Sequence, residues 1–212
     1  VLTRPDLLYA LSKCAQKCSC PNNLDMARVL KIIKYVNATK ELGLVFRPDD
    51  DFKLRCWVDA SHIQYAEDAK SHYGYAFFLG SNDSCFYARS AKMKIVTPGG
   101  STESEYVALY EAATEVVFLR NLLEEIGFPQ DGPTPVYEDN TSTIAMAKGG
   151  GSFQKQKHIL VKYHYSRELV KEKVIEMVHC GTEDMVADIL TKPTSKSVLK
   201  RLRNLLMRPK GH

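Results

Sequence analysis

Residues 101–126 read STESEYVALYEAATEVVFLRNLLEEI, and this stretch decides the fold. Steps of four and three residues from Glu105 reach a single apolar stripe made of Leu109, Ala112, Val116, Leu119, Leu123 and Ile126. This spacing predicts a long amphipathic helix packed against a core. The head of the stripe is a carboxylate, one turn after a Ser/Thr start signal. A buried carboxylate is costly unless it is protonated, paired or bound to a cation, so Glu105 is the first candidate site residue.

The composition is that of a globular chain with enough residues to bury a sizeable core. Of its 212 residues, 44% are hydrophobic and 25% are charged. No apolar run approaches the roughly 18 residues of a membrane span, so no membrane partner is expected. The first residue is Val1 rather than Met, which suggests a piece of a longer protein. The six cysteines are scattered without a second pair of zinc ligands, so free thiols are expected.

The chain divides at residues 47–51, a polar stretch containing proline that is predicted to be a linker. Residues 1–46 before it are predicted to be helical, because the asparagine pair at 22–23 can cap an apolar-periodic segment. Residues 52–193 after it carry the predicted strands and the long helix. Residues 194–212 form a basic tail without an acidic side chain, and a solvated tail and a phosphate-binding one are both open.

Within residues 52–193 the hydrophobic pattern predicts five strands and four helices. Alternating or aromatic-rich runs place the strands at 52–60, 72–79, 84–89, 135–138 and 174–179. Helical spacing and caps place the helices at 101–126, 141–148, 158–171 and 182–191. Adjacent strands favour a meander, and helix-linked strands favour parallel crossovers. The predicted fold is α/β, with a five-stranded mixed sheet flanked by helices and an N-terminal helical segment.

Three further carboxylates stand where predicted strands or helices place them near one edge. Asp59 closes the first strand, Asp139 follows the fourth, and Asp188 lies in the final helix among apolar residues. The carboxyl ends of parallel strands meet at one edge of a sheet, so these acids and Glu105 could converge there. Taken singly, each has a structural explanation, as a cap of a turn or as the partner of an arginine.

A cluster of four carboxylates requires positive charge, because close carboxylates repel one another and cannot all ionise. Ligands that are all oxygen select hard cations, so Mg²⁺ or Mn²⁺ is expected. Two such ions roughly 4 Å apart can stabilise both the attacking and the leaving oxygen of a phosphoryl transfer. The residues alone therefore predict a phosphodiester nuclease.

The same acids lie in motifs that resemble those of ribonuclease H. The four motifs are VDAS at 58–61, SEYVAL at 104–109, YEDN at 137–140 and ADILTKP at 187–193. Their wording is similar to that of copia-type LTR retrotransposons, as are GYAFFLG at 74–80, KHI at 157–159 and YHYSRELV at 163–170. TRPDL at 3–7 and KELGL at 40–44 resemble the end of reverse transcriptase. The chain thus resembles the C-terminal ribonuclease H region of a copia-type Pol polyprotein, with residues 1–46 as thumb or connection and 52–193 as the ribonuclease H-like domain.

The resemblance implies an endoribonuclease that hydrolyses the RNA strand of RNA/DNA hybrids during retrotransposon reverse transcription. It implies two Mg²⁺ ions, for which Mn²⁺ can substitute, and no small-molecule cofactor. Asp59 is expected to bridge the ions, with Glu105 and Asp139 on one and Asp188 on the other. The expected partners are the hybrid and the polymerase portion of the same polyprotein, in cytoplasmic virus-like particles or in the nucleus. Glu103, the rival of Glu105, is offset by about 200° on the helix and is predicted to face solvent.

Side chains beside the acids are candidates for reading the RNA strand. A protein tells RNA from DNA by the 2′-hydroxyl group, and Ser61 and Asn140 are expected to contact it across a minor groove. His179, at the end of the last predicted strand, has two interpretations. It takes part in proton transfer, as the mobile histidine of cellular ribonucleases H does, or it is a surface strand residue.

Basic side chains are candidates for binding phosphates of the substrate. Lys157 and His158 follow a glycine run and are predicted to contact the DNA strand, with a solvated loop as the alternative. Lys192 is assigned to the same phosphate-binding set. Contacts of this kind carry no sequence preference, and they weaken steeply as the salt concentration rises.

Two other functions stay open on the sequence alone. The domain can be a catalytically idle scaffold that binds hybrids, as a connection domain does, although an idle copy has no reason to keep all four acids. It can also be a resolvase or transposase of the same fold that acts on DNA. Cleavage of different duplexes in Mg²⁺ separates these functions from that of a ribonuclease H.

Overall fold

The structure is a computed structural model that describes residues 3–46, 52–62, 70–80, 84–94, 100–150 and 157–207, without the side chains of 157–159. Its strands are β1 (Leu54–Ser61), β2 (His72–Leu79), β3 (Tyr87–Lys92), β4 (Thr134–Glu138) and β5 (Ile175–His179). Its helices are α1 (Leu8–Ala15), α2 (Asn23–Ala38), α3 (Ser101–Glu125), α4 (Thr141–Ala147), α5 (Lys157–Lys171), α6 (Asp188–Thr191) and α7 (Lys196–Met207). The predicted linker at 47–51 lies outside the described residues. Among the described helices, none combines the length and the apolar character that crossing a membrane requires.

The five strands form one mixed sheet in the order β3-β2-β1-β4-β5. β1 pairs antiparallel with β2, and β2 pairs antiparallel with β3, which makes the predicted meander. β1 pairs parallel with β4, and β4 pairs parallel with β5, with helices in the connections. The predicted α/β fold with a five-stranded mixed sheet is therefore confirmed. This strand order sets the carboxyl ends of β1 and β4 side by side, where a ligand site is expected.

β3 begins three residues later than the predicted run 84–89, because the backbone before it is hydrogen-bonded elsewhere. The N–H of Ser84 donates to the carbonyl oxygen of Val45 (3.0 Å), and the N–H of Cys85 donates to that of Leu206 (2.8 Å). Ladder pairing with β2 therefore starts only at Tyr87. These two hydrogen bonds tie the approach to β3 to the N-terminal segment and to α7.

One face of the sheet is covered by α3, whose apolar stripe is buried as its spacing predicts. The stripe positions at 109, 112, 116, 119 and 123 are buried, together with Glu105 at the head. They share one core cluster with Cys56 and Val58, which are alternate residues of β1. Ile126 is the exception, with 59% of its surface exposed, because α3 ends one residue earlier at Glu125.

The other face of the sheet is covered by α6 and α7. Leu190 from α6 and Leu202 and Leu206 from α7 are fully buried, in a cluster with Ala76 and Phe78 of β2. α7 therefore contributes an apolar face to the core. The described part of the basic tail is a packed helix, so a wholly solvated tail is excluded for it.

The N-terminal segment packs against the sheet. α2 begins where predicted, since the side chain of Asn22 accepts hydrogen bonds from two N–H groups of the first turn. From α1, the ring of Tyr9 meets the ring of His72 edge-on, at 5.2 Å between centroids. The N–H of Val45 donates to the hydroxyl oxygen of Ser84 (2.7 Å). Residues 3–46 therefore contact both β2 and the turn before β3.

The final helix is much shorter than the predicted span 182–191. Only Asp188–Thr191 is helical, so Asp188 stands at the start of α6 rather than one and a half turns into a helix. Every residue from 185 to 191 is buried. The segment contacts β1 and β2 on one side and α7 on another, which leaves no solvent face for a regular amphipathic helix.

Candidate metal centre

Glu105 is held at the edge of the sheet by the first turns of α3. The helix starts after Gly100, whose φ of 90° is a conformation that glycine adopts readily, and the N–H of Ser104 donates to the carbonyl oxygen of Gly100. The hydroxyl of Ser104 shares a hydrogen bond of 2.9 Å with that of Ser71, just before β2. All residues from 103 to 109 are buried. The Glu105 carboxylate therefore projects from a rigid, enclosed element.

Asp59 and Asp139 come from neighbouring parallel strands. Trp57 of β1 pairs with Tyr137 of β4, so the same register sets the two aspartates beside each other two residues further along. One oxygen each from Asp59, Glu105 and Asp139 lies within 4.8 Å of the other two. Asp59 and Glu105 are buried, and Asp139 is partly exposed. The structure thus brings together three of the four predicted ligands.

Asp188 is not part of this group of three, and it forms an ion pair with Lys192. The ammonium nitrogen of Lys192 lies 2.7 Å from Oδ1 of Asp188 and 3.9 Å from Oδ2 of Asp59. The hydroxyl of Thr191 donates to the same oxygen of Asp59. Lys192, predicted to bind phosphate, therefore contacts the acids of the centre, and Asp59 receives polar contacts from two consecutive residues.

α6 approaches the sheet closely because a glycine faces it. A Cβ atom on Gly74 would lie 2.5 Å from Cβ of Leu190. The hydroxyl of Ser90 donates to the carbonyl oxygen of Leu190 (2.6 Å), and that of Ser61 donates to the carbonyl oxygen of Thr191 (2.8 Å). Ser61, which is predicted to contact the RNA strand, thus donates its hydroxyl proton to α6. Its hydroxyl oxygen can still accept a hydrogen bond.

Glu138 lies beside the group of three, since its charge raises the pKa of Glu105, and it was not among the predicted site residues. It ends β4 and is fully buried. Its Oε1 accepts a hydrogen bond from the N–H of Asn140 (3.1 Å), and its Oε2 has no hydrogen-bond partner among the described residues. The alternation of side chains along a strand could have predicted the burial of Glu138, because it lies on the same side of β4 as the buried Val136.

Glu103 is buried, with 2% of its surface exposed, so the prediction that it faces solvent is wrong. Glu103 does lie on a different side of α3 from Glu105, as predicted. The conclusion failed because α3 is enclosed on every side at residues 103–109, all of which are buried. Glu103 is not in the group whose oxygens lie within 4.8 Å of one another, and Glu105 is the helix residue that is.

Burial and mutual repulsion oppose ionisation of the centre. Burial raises the pKa of Asp59 to about 6, although the positive charge of Lys192 acts in the opposite direction. Burial, and then the negative charges of Glu138 and Asp59, raise the pKa of Glu105. The pKa of Glu138 is also raised, chiefly by burial. The protein alone therefore supplies too little positive charge for its own carboxylates.

These residues fit a divalent cation. The Oε2 atoms of Glu105 and Glu138 are buried and have no hydrogen-bond partner in the described part of the chain, which is costly for an ionised carboxylate unless a cation is bound. The group of Asp59, Glu105 and Asp139 offers only oxygen, a donor set that hard cations such as Mg²⁺ and Mn²⁺ prefer.

Asn140, Lys157 and His158 are the remaining residues predicted to contact the substrate. Asn140 caps α4, with its Oδ1 accepting hydrogen bonds from the N–H groups of Ser142 (3.0 Å) and Thr143 (3.2 Å). It directly follows Asp139, so it lies at the edge of the centre. Lys157 and His158 begin α5, but their side chains lie outside the described part of the structure, and their binding role stays a prediction.

His179 is exposed at the end of β5 and pairs in register with Glu138. It lines a cavity of about 370 Å³ whose walls include Trp57 and Tyr137, two rings stacked 4.3 Å apart. None of the four predicted ligands lines this cavity. A place at the surface end of a strand suits the second of its two interpretations, and its part in proton transfer stays a prediction.

Comparison with known proteins gives relatives along nearly the whole chain, although no family model matches it. The retrovirus-related Pol polyprotein from transposon RE1 of Arabidopsis thaliana is 27% identical over 198 residues, 93% of this chain and 13% of that polyprotein. The polyprotein from transposon TNT 1-94 of Nicotiana tabacum is 28% identical over 206 residues, 97% of this chain and 15% of that polyprotein. The chain therefore spans only a small part of the length of these relatives.

Comparison with solved structures gives the fold. LC11-RNase H1, isolated from compost by a metagenomic approach, superposes with a TM-score of 0.51 at 16% identity, over 66% of this chain and 93% of that one. The expected fold and the expected relatives are thus both confirmed. The homologues of this chain are thus retrovirus-related Pol polyproteins of transposons, and its fold is that of ribonuclease H.

Proposed function

We propose that the chain is a metal-dependent endoribonuclease that hydrolyses the RNA strand of RNA/DNA hybrids during reverse transcription of a copia-type LTR retrotransposon. The observation that carries this proposal is the group of Asp59, Glu105 and Asp139, with oxygens within 4.8 Å of one another at the carboxyl edge of a ribonuclease H sheet. Buried acids that lack enough positive charge are costly to keep, and a phosphodiester nuclease is the function that uses them.

The four predicted acids would hold the ions. Asp59, Glu105 and Asp139 would hold one Mg²⁺ or Mn²⁺, and Asp188 with Asp59 would hold a second after Lys192 moves away. When bound, such ions acidify a water molecule and stabilise the charge that develops on the phosphate. α3 keeps Glu105 fixed by its enclosure, and the hydroxyl of Thr191 orients Asp59.

Recognition of the RNA strand is assigned to polar groups beside the acids. The hydroxyl oxygen of Ser61 stays able to accept a hydrogen bond from a 2′-hydroxyl group, because its own proton is donated to Thr191. The side-chain NH₂ of Asn140 can donate, because its Oδ1 is the atom that caps α4. Together they offer one acceptor and one donor, which matches the two hydrogen-bonding capacities of a 2′-hydroxyl.

A catalytically idle, hybrid-binding domain is the second candidate. The observation that favours it is the ion pair of Lys192 with Asp188, which neutralises one predicted ligand with a side chain of the chain itself. Against it stand Asp59, Glu105 and Asp139, which no ion pair among the described residues neutralises completely. In either case the polymerase portion of the polyprotein is the proposed neighbour that delivers the hybrid.

The test is incubation of the chain in Mg²⁺ with a labelled RNA/DNA hybrid, double-stranded RNA and duplex DNA. The proposal predicts cleavage of the RNA strand of the hybrid alone, and EDTA should stop it. Cleavage of duplex DNA alone would indicate a DNA nuclease of the same fold. Binding of the hybrid without any cleavage would indicate the idle domain.

A further inference from the structure

A cleft of about 630 Å³ separates the N-terminal helices from the segment that carries Lys192. One wall is α1 and the turn after it, the second wall is α2, and the third is formed by residues 189–199. We call it the α1–α2 cleft and define it by the lining residues Tyr9, Lys13, Lys17, Arg28, Lys31 and Lys192. It includes none of the residues predicted to bind substrate except Lys192.

The α1–α2 cleft is strongly basic. Five of the residues just named carry positive charge, of which Arg28 is paired with Asp25 and Lys192 with Asp188, each at 2.7 Å. Among the described residues of the lining, the one acid is Asp6. Asp6 is already neutralised, because its Oδ2 lies 2.8 Å from a guanidinium nitrogen of Arg4 and accepts a hydrogen bond from the hydroxyl of Tyr35 (2.8 Å). The cleft therefore presents excess positive charge to whatever enters it.

Three of the lysines are uncompensated. In the part of the chain that the structure describes, no acid forms an ion pair with Lys13, Lys17 or Lys31. Lys13 is half-buried, and burial, followed by repulsion from Lys92, lowers its pKa. Lys17 and Lys31 are exposed. A bound anion would relieve this repulsion.

The cleft adjoins the metal centre through Lys192. Lys192 lines it and also touches Asp188 and Asp59, at 2.7 Å and 3.9 Å. Tyr9, at the cleft, packs edge-on against His72, which pairs in register with Ser61 at the end of β1. Lys192 therefore links the acids of the metal centre to the lining of the cleft.

The chemistry of the walls matches a sugar–phosphate backbone. The ammonium of Lys13 lies 5.4 Å from the centre of the Tyr9 ring, so a cation and an aromatic surface stand together. Apolar side chains such as Ile32 and Leu199 complete the lining. Lysines contact phosphates as point charges, while aromatic and apolar surface accommodates sugars and bases.

We propose that the α1–α2 cleft binds the sugar–phosphate backbone of the hybrid next to the scissile phosphate, so that the segment before the sheet contributes directly to substrate binding. This inference rests on the proposed function, since it takes the hybrid as the ligand. Phosphate contacts position a duplex without reading its sequence, so the contribution appears in affinity and in its dependence on salt.

The test is binding of a fluorescent RNA/DNA hybrid in EDTA, followed by anisotropy over a series of salt concentrations. The triple variant Lys13→Ala, Lys17→Ala and Lys31→Ala is compared with a control of equal charge change, Lys34→Ala, Lys171→Ala and Lys200→Ala, outside the cleft. The cleft variant should raise Kd by about tenfold and reduce the slope of log K against log salt by about 2.7, or roughly 0.9 per contact. Equal Kd and slope for both triples would overturn the proposal.

Two further measurements keep the outcome interpretable. Lys31→Glu, on the exposed side of α2, should weaken binding more than Lys34→Glu, and equal effects would count against the cleft. Cleavage of the hybrid by the unmodified chain is measured in parallel. If the unmodified chain cleaves the hybrid and the cleft variant binds it as tightly as the unmodified chain does, the cleft proposal is refuted and the proposed ribonuclease function is not. If the cleft variant binds the hybrid more weakly but the unmodified chain does not cleave it, the ribonuclease function is refuted and the cleft proposal stands.

Discussion

The ammonium of Lys192 lies 2.7 Å from a carboxylate oxygen of Asp188, one helical turn away. The same nitrogen lies 3.9 Å from Asp59, so one side chain contacts two of the predicted metal ligands. A divalent ion that uses Asp188 has to displace this ammonium. The chain thus carries an internal counter-charge at the place where the resemblance assigns the second ion.

Lys192→Met should strengthen Mn²⁺ binding and weaken the metal-free fold. The divalent ion no longer competes with an ammonium, and the acids lose a neighbour whose ion pair is partly exposed and contributes about 1 kcal/mol. Calorimetric titration measures the first effect and urea unfolding in EDTA measures the second. The exposed Lys200→Met serves as control. Mn²⁺ binding that is weaker in the variant would contradict the counter-charge role.

Gly74→Ala should lower the free energy of unfolding by about 1–3 kcal/mol, the usual cost of overpacking a core. Its Cβ would lie 2.5 Å from Cβ of Leu190, an atom that cannot rotate away, so α6 has to move. Gly132→Ala is the control, because a Cβ at Gly132 meets nothing within 4 Å. Urea unfolding of both variants measures the difference, and equal stabilities would show that α6 tolerates the extra atom.

The free energy of unfolding of the unmodified chain should fall as the pH rises, because Asp59 ionises, and Asp59→Asn should abolish this part of the fall. The pKa of Asp59 is raised by burial from 3.8 to about 6, so its contribution is present below pH 4 and is lost as the pH passes 6. The difference in unfolding free energy between the unmodified chain and the variant should therefore fall by about 3 kcal/mol between pH 4 and pH 7 in EDTA.

The comparison with a variant is needed because His72 acts in the opposite direction. Burial lowers the pKa of His72 to about 4, so its contribution is lost as the pH falls from 6.5 toward 4. This term is common to the unmodified chain and Asp59→Asn, and it cancels in the difference. A difference that stays flat or rises with pH would refute the burial of an ionisable Asp59.

Glu138→Gln should stabilise the metal-free chain by about 1–3 kcal/mol at pH 8, the cost of an unsatisfied buried polar atom. The carbonyl oxygen of the glutamine can still accept the hydrogen bond from the N–H of Asn140. Its NH₂ group takes the place of the unpartnered Oε2 and can donate to nearby carboxylates. Glu176→Gln, on the exposed side of β5, is the matched control. Thermal unfolding in EDTA measures both, and a destabilised Glu138→Gln would mean that its charge is used.

Local patterns predicted most of the fold. The stripe of α3 follows from helical spacing, β2 was predicted at its observed bounds, and the parallel pairing of β1 with β4 follows from the helix between them. Asp59 and Glu105 could also be predicted, because each lies in a short motif within a regular element, β1 for Asp59 and α3 for Glu105. These two acids lie close together, as their motifs and elements predict.

Tertiary packing decided what the sequence did not reveal. The short α6 results from burial of residues 185–191 on several sides, which erases helical periodicity. Glu103 is buried because every residue of α3 from 103 to 109 is enclosed, whatever its position around the helix. The α1–α2 cleft joins residues 9–31 to residue 192, a relation that only the folded chain creates.

The most direct test of the account is hydrolysis of the labelled RNA strand of a hybrid in Mg²⁺ by the unmodified chain and by Asp139→Asn. We expect cleavage by the unmodified chain and a loss of at least about 100-fold in the variant, because the variant loses a carboxylate from the group of three. Binding of the hybrid in EDTA should be largely retained. Cleavage by Asp139→Asn at an undiminished rate would contradict the metal centre on which the account depends.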